Sequence, residues 1–135
     1  MSFGNWTENA LMNHIFGKAT FASPSIFVGL CTAFPGEGAT GGSCSEVSNA
    51  NGYVRIGIAA NTWNWSSDGI VTNHDAIIFP RATGGWGTVT YFVLLNSGLY
   101  GTGQVLLYGA LSQPRGISQW SRPRFNAGVL SVSLD

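Results

Sequence analysis

The chain has 135 residues, zero formal net charge and 9% charged side chains against 44% hydrophobic ones. That length sets a single domain with its own core, and the neutral balance excludes long-range attraction to nucleic acid or an anionic membrane. No stretch approaches the roughly 18 apolar residues of a membrane span, and no basic-then-apolar leader is seen, so no signal peptide is expected. Nineteen glycines point to many tight turns and an all-β fold. A surface of Ser, Thr, Asn and Gly suits a protein that works inside an assembly, although a secreted domain can share that composition.

In chain order, Trp6-Thr7-Glu8 reads as a helix start, with Thr7 as the N-cap and Glu8 at the positive end of the dipole. Trp6 and Leu11 have the spacing of a hydrophobic staple. Leu11, Met12, Ile15 and Phe16 form an apolar stripe, and Gly17 closes a helix too short to stand alone. It is expected to dock on the outer face of the central hairpin or on a neighbouring subunit. Residues 25–32 read as the first strand. Residues 33–52 form a long loop with Pro35, Gly36, Gly38, Gly41 and Gly42, and a loop of that length is usually functional or ordered by a partner. Residues 53–60 alternate, with Val54, Ile56, Ile58 and Ala60 inward and Tyr53, Arg55, Gly57 and Ala59 outward. Trp63 and Trp65 share one face, read as core or as a sugar-stacking platform. Ser67-Asp68-Gly69 is a turn, and residues 70–72 and 76–79 are short strands ended by Pro80.

The centre of the chain is residues 84–111. Two runs rich in β-branched and aromatic residues, 88–95 and 104–111, flank a loop with Gly98, Gly101 and Gly103, which predicts a hairpin. Val89, Tyr91, Val93 and Leu95 are expected on one face and Thr88, Thr90, Phe92 and Leu94 on the other. The hairpin is therefore apolar on both sides, and a helix, a loop or another copy of the chain must cover the outside. Tyr91, Val93, Leu95, Val105 and Leu107 are the candidate trimer interface. Residues 112–124 read as a polar loop carrying Arg115, Trp120, Arg122 and Arg124. Phe125, Ala127 and Val129 share a face, then Leu130, Val132 and Leu134 share the other, with a β-bulge expected at Gly128. The strands add up to a β-sandwich, jelly-roll-like, with one short N-terminal helix: an arm and helix over residues 1–20, then a single domain over 21–135.

Chemistry is sparse. His74-Asp75 is a lone His–carboxylate pair read as loop polarity, His14 as a solvated histidine, and Cys31 and Cys44 as free thiols without His partners for a metal. No catalytic motif, metal spacing or cofactor box appears, so no enzyme, metal or cofactor is expected. The candidate partner contacts are Phe34, Glu37 and Glu46 in the first loop, and Arg115, Trp120, Arg122 and Arg124 in the second. Trp and Arg are enriched where interfaces gain most of their energy, although a solvated loop fits the second set equally well.

Several runs carry a resemblance: Ala10-Leu11-Met12-Asn13-His14-Ile15-Phe16-Gly17-Lys18, Phe27-Val28-Gly29-Leu30, and Glu46 leading to Gly52-Tyr53-Val54-Arg55. Asn73 ahead of Ile77-Ile78-Phe79-Pro80, Trp86-Gly87-Thr88-Val89, Leu106-Leu107-Tyr108-Gly109-Ala110-Leu111 and Phe125-Asn126-Ala127-Gly128 complete it. The chain resembles small structural proteins of tailed bacteriophages described as tail-fibre-like, and is similar to jelly-roll cement proteins of phage heads. The resemblance implies a homotrimeric virion component, made in the bacterial cytoplasm and commonly placed on capsid three-fold axes, whose partners are its own copies and the major capsid protein. The expected role is capsid cement. The alternatives are a tail-fibre or baseplate component and a carbohydrate-binding module of host recognition.

Overall fold

The structure is a computed structural model and is described over residues 2–133. Its elements are β1 (Ser2–Phe3), α1 (Asn5–Ile15), β2 (Ile26–Cys31), β3 (Ile56–Ile58), β4 (Ile70–Thr72), β5 (Ile77–Ile78), β6 (Gly87–Leu95), β7 (Val105–Ile117), β8 (Arg124–Phe125) and β9 (Ser131–Ser133). One antiparallel sheet has the order β1-β7-β6-β2-β3, and the pairs β4·β9 and β5·β8 form a second layer over it. Val28, Leu30, Val89, Phe92 and Leu94 of the sheet meet Ile77, Phe79 and Leu130 of that layer in one buried cluster. This is the all-β sandwich with a short N-terminal helix that the patterning predicts.

The hairpin β6–β7 is the spine, and its register is broken twice. The pairing Val89↔Arg115 is followed by Tyr91↔Ala110, so Thr90 and residues 111–114 are unmatched. Such an irregularity changes which face the following side chains take. Val89, Phe92 and Leu94 therefore enter the sandwich core, while Tyr91, Val93 and Leu95 turn to the other side, which separates Val89 from the three residues it was expected to join. The second break falls at Leu106, between Leu94↔Leu107 and Leu95↔Val105. Leu106 and Leu107 both end in the core, while Val105 and Tyr108 face outward.

What covers that outer face is the chain itself. The 33–52 loop folds back: Thr32 N–H donates to Ser45 O at 3.0 Å, Val47 N–H to Leu30 O at 2.9 Å, and Gly41 N–H to Gly103 O at 2.9 Å. It lays Ala39 and Cys44 on Cys31, Val93, Leu95, Val105 and Tyr108, a second buried cluster. Val93, Leu95 and Val105 are at most 1% exposed and Leu107 is 9% exposed within one chain. This corrects their assignment as a trimer interface, because they have no surface left for a second copy to cover. Tyr91 is half-buried at the margin of the same cluster.

The helix differs from its expected form at its start. Gly4 is the N-cap and makes no side-chain cap bond. Instead the sheet and the 33–52 loop hold the helix start: Gly4 N–H donates to Leu106 O at 3.0 Å and Asn5 N–H to Glu37 O at 2.8 Å. Thr7 lies inside the helix, buried, with its hydroxyl unpartnered. Trp6 packs on Phe21 at 5.9 Å between ring centroids rather than stapling to Leu11. Gly17, at φ +71°, does end the helix in the left-handed conformation that glycine adopts without steric cost.

Three other expectations change. Residues 112–117 belong to β7, so the second polar loop is shorter than it looked. Trp65 is 96% exposed while Trp63 packs against the core, so the two do not share a face. Gly128, at φ +79°, sits in a turn between β8 and β9 rather than in a bulge. Leu134 lies outside the described residues.

Candidate functional site

The most constrained polar site is on the outer side of β2, and the sequence pattern had it inside out. Tyr53 and Arg55 are buried at 2% and 6% exposure, whereas Val54, expected inward, is 53% exposed. Arg55 spends every N–H it has. Its Nε and Nη2 hold Glu46 at 3.0 and 2.8 Å; Nη1 donates to Ser97 O, Leu99 O and Thr102 O at 2.8–3.1 Å; Nη2 also reaches Gly41 O at 3.2 Å. One guanidinium thus joins the 33–52 loop to the β6–β7 turn. Tyr53 Oη donates to Glu46 Oε2 at 2.5 Å and accepts the Leu30 N–H at 3.0 Å, a donor left over where β3 stops pairing with β2.

Glycines leave room for this arrangement. A Cβ at Gly29 would stand 2.9 Å from Glu46 Oε2 and 3.1 Å from Tyr53 Oη, and one at Gly41 would stand 1.9 Å from Thr102 O. Burial alone would lower the Arg55 pKa, but the hydrogen bond and charge of Glu46 outweigh it and hold the guanidinium above its ordinary value. Burial, then the Glu46 charge, push the Tyr53 phenol up. Glu46 is therefore an internal counter-ion with a 3% exposed side chain, which corrects its assignment as a partner contact. A buried charge is tolerated only where it is paired and its remaining donors are satisfied, and both conditions are met here.

A second, uncharged clasp sits at the other end of the sandwich. Asn73, 1% exposed, donates from Nδ2 to Asp75 O and Asn126 O, both at 2.9 Å, and accepts the Leu130 N–H at 3.0 Å. Its carbonyl also accepts the Gly128 N–H at 2.8 Å. The C-terminal segment, joined to the body through the two short sheets, is thus tied by one side chain.

The remaining candidate contacts fall into two separate groups. Phe34, 55% exposed, lies edge-on to Tyr91 and Tyr108 at 5.6 Å from each and roofs the outer cluster. Glu37 keeps an exposed side chain near the helix start. Arg115 and Arg124 line a cleft of about 430 Å³ that opens toward the sandwich core between Phe92, Phe125 and Leu130. Arg122 donates from Nε to Phe79 O at 3.2 Å. Trp120 is 60% exposed at φ +72°, with its N–H on Ala82 O at 2.7 Å and its carbonyl accepting Arg81 Nη1 at 3.3 Å. A left-handed backbone is an outlier for so bulky a residue. The pair His74–Asp75, 2.9 Å apart and more than 60% exposed, is solvated.

Of the apolar stripe expected on the helix, three residues are left uncovered within the chain. Met12, Ile15 and Phe16 stand 54%, 70% and 68% exposed on α1, because the helix turns Thr7, Ala10 and Leu11 toward the body instead. The signal was present: four apolar residues in two turns make a stripe wider than a short helix can bury against one sheet edge.

An antiparallel β-sandwich whose buried Arg55, Glu46 and Asn73 bind its own loops, and which leaves aromatic and aliphatic side chains facing outward, has the character of a structural component built for contacts. The chain belongs to the family of the podophage GP4 fiber I protein gp80, whose model matches residues 2–133. It is a bacteriophage virion structural protein. No curated protein matches the chain.

Proposed function

We propose that the protein is a fibre subunit of the virion, a homotrimer that acts by binding alone and associates through the outward face of α1. The observation that carries this reading is the exposure of Met12, Ile15 and Phe16 on a helix whose other side is already docked. Fully burying such a side chain is worth about 1.5–3 kcal/mol, and three of them repeated around an axis offset an association cost of about 4–15 kcal/mol. A second copy of the chain is the natural occupant, since a fibre is built from repeated subunits. Light scattering at micromolar concentration is expected to give about three times 14.3 kDa. Met12→Ser with Phe16→Ser is expected to give single chains of unchanged fold. A wild-type monomer overturns self-association, and a dimer overturns the trimer.

Attachment to the virion is assigned to the turn around Trp120, with Arg81 and Arg122 beside it. Strained backbone persists where it serves a contact, and arginine's planar fork holds a partner carboxylate with two hydrogen bonds. Trp120→Ala is expected to leave the melting temperature within about 2 °C and to reduce virion occupancy; a large drop in melting temperature with full occupancy overturns the assignment. The second reading, capsid cement bound to the major capsid protein, is favoured by the absence of any shaft-like element among the described residues, whose longest helix is 11 residues. Immunogold labelling separates the two: label on the tail supports the fibre, and label over the head supports the cement.

A further inference from the structure

Cys31 and Cys44 are the buried nucleophiles that neither clasp uses. Cys31 ends β2 in a bridge with Glu46, two residues beyond Cys44. Ser45, between them at φ +59°, turns the chain through the left-handed region. Both side chains end in the same buried outer cluster at 0% and 1% exposure, and the Thr32 N–H beside Cys31 donates to the Ser45 carbonyl beside Cys44 at 3.0 Å. We infer that Cys31 and Cys44 are a cross-linking site, forming an intramolecular disulfide once the protein meets an oxidising medium and so locking the 33–52 loop on the sheet.

The surroundings favour this pair over other fates. Both sulfurs are inside the fold, so a bond between different chains would require the loop to open and stay open, whereas the internal bond forms on its closing. The loop is also the segment that the Arg55 clasp holds, so each opening presents both sulfurs together and each closing returns them to the same buried cluster. With oxidised glutathione as the oxidant, the cysteine that loop opening first exposes attacks one glutathione sulfur as its thiolate, and one glutathione leaves. The other cysteine then attacks the cysteine sulfur of that mixed disulfide and expels the second glutathione. Two protein thiols are oxidised, one glutathione disulfide is reduced to two thiols, and the cysteine protons end on the departing glutathiones.

The test uses the purified full chain, held with oxidised glutathione while folded and, in parallel, while refolding. After denaturation and iodoacetamide treatment, the expected product carries no alkyl group and has lost about 2 Da. Its melting temperature is expected to rise by about 5–10 °C over the reduced protein, as for closure of a loop of about 15 residues. Alkylation of both cysteines, a glutathione adduct as the only product, or disulfide-linked dimers would each overturn the inference. Cys44→Ala and Cys31→Ala should each lose the glutathione-dependent rise, and a rise that persists in either also overturns it. If neither variant folds, the wild-type mass decides. The chemistry is read on the isolated chain, so its failure leaves the fibre reading untouched.

Discussion

Two buried side chains hold the ends of this sandwich, and they do it under different constraints. Arg55 stitches the 33–52 loop to the β6–β7 turn with a full charge, and Asn73 ties the C-terminal segment with a neutral amide. The amide needs only that its partners be in place. The guanidinium needs those partners and also a counter-ion inside the fold, which is why Glu46 and the Tyr53 hydroxyl lie beside it. The comparison teaches that a charged clasp gathers more loops, four carbonyls and a carboxylate against two carbonyls and one N–H, but fails harder when one member is lost.

The largest effect should come from breaking the charged clasp on one side. Glu46→Gln leaves Arg55 buried without a counter-ion and is expected to cost about 3–5 kcal/mol, read by chemical denaturation. Adding Arg55→Met should recover part of that loss, because removing both charges is far cheaper than removing one. If the double variant is no more stable than the single, the penalty lies in the lost carbonyl bonds and not in the orphaned charge. Asn73→Ala should come next, at about 1–3 kcal/mol, since two carbonyls and one N–H lose their partner but no charge is stranded. Its loss should also show as faster hydrogen exchange at Leu130 and Gly128, with the amides of the 33–52 loop unchanged. Loss of protection in both regions would merge the two clasps into a single cooperative unit.

The smallest effect is one of pH. The Tyr53 phenol is raised by burial first and by the Glu46 charge second, so its folded pKa lies above the unfolded value near 10. Stability from this group is present in full below about pH 10 and falls as pH climbs toward the folded value, by about 1.4 kcal/mol per unit. Tyr100 is raised for the same leading reason. Tyr53→Phe should therefore lower stability by about 1–2 kcal/mol at neutral pH and flatten, without abolishing, the alkaline decline. An unchanged alkaline slope in Tyr53→Phe would place the decline elsewhere.

Most of the strand inventory was legible because period-two alternation and turn residues are local properties, and so was the end of the helix at Gly17. The two-sided hairpin was legible too, since Tyr91–Leu95 and Val105–Tyr108 are apolar on both faces, and it required a cover on the outside. The identity of the cover was not legible. Helix, loop and second copy satisfy the same apolar face equally well, and only the path of residues 33–52 decided among them. The same limit explains Tyr53 and Arg55. Strict alternation puts the apolar residue inward, and nothing within a few positions of Arg55 announces a carboxylate nine residues upstream and four carbonyls that converge on it from loops more than forty positions downstream or fourteen upstream.

The sequence by itself determined a glycine-rich, all-β chain of zero net charge with a short helix, a long loop and a resemblance to phage structural proteins. The tertiary structure alone decided which apolar residues remain outside. A register break at Thr90 and another at Leu106 moved the face of the hairpin, the returning loop buried what had looked like an interface, and the sheet edge took only one side of α1. Burial is settled by the sum of non-local contacts, and a polar group can be drawn inside whenever its partners arrive from elsewhere in the chain.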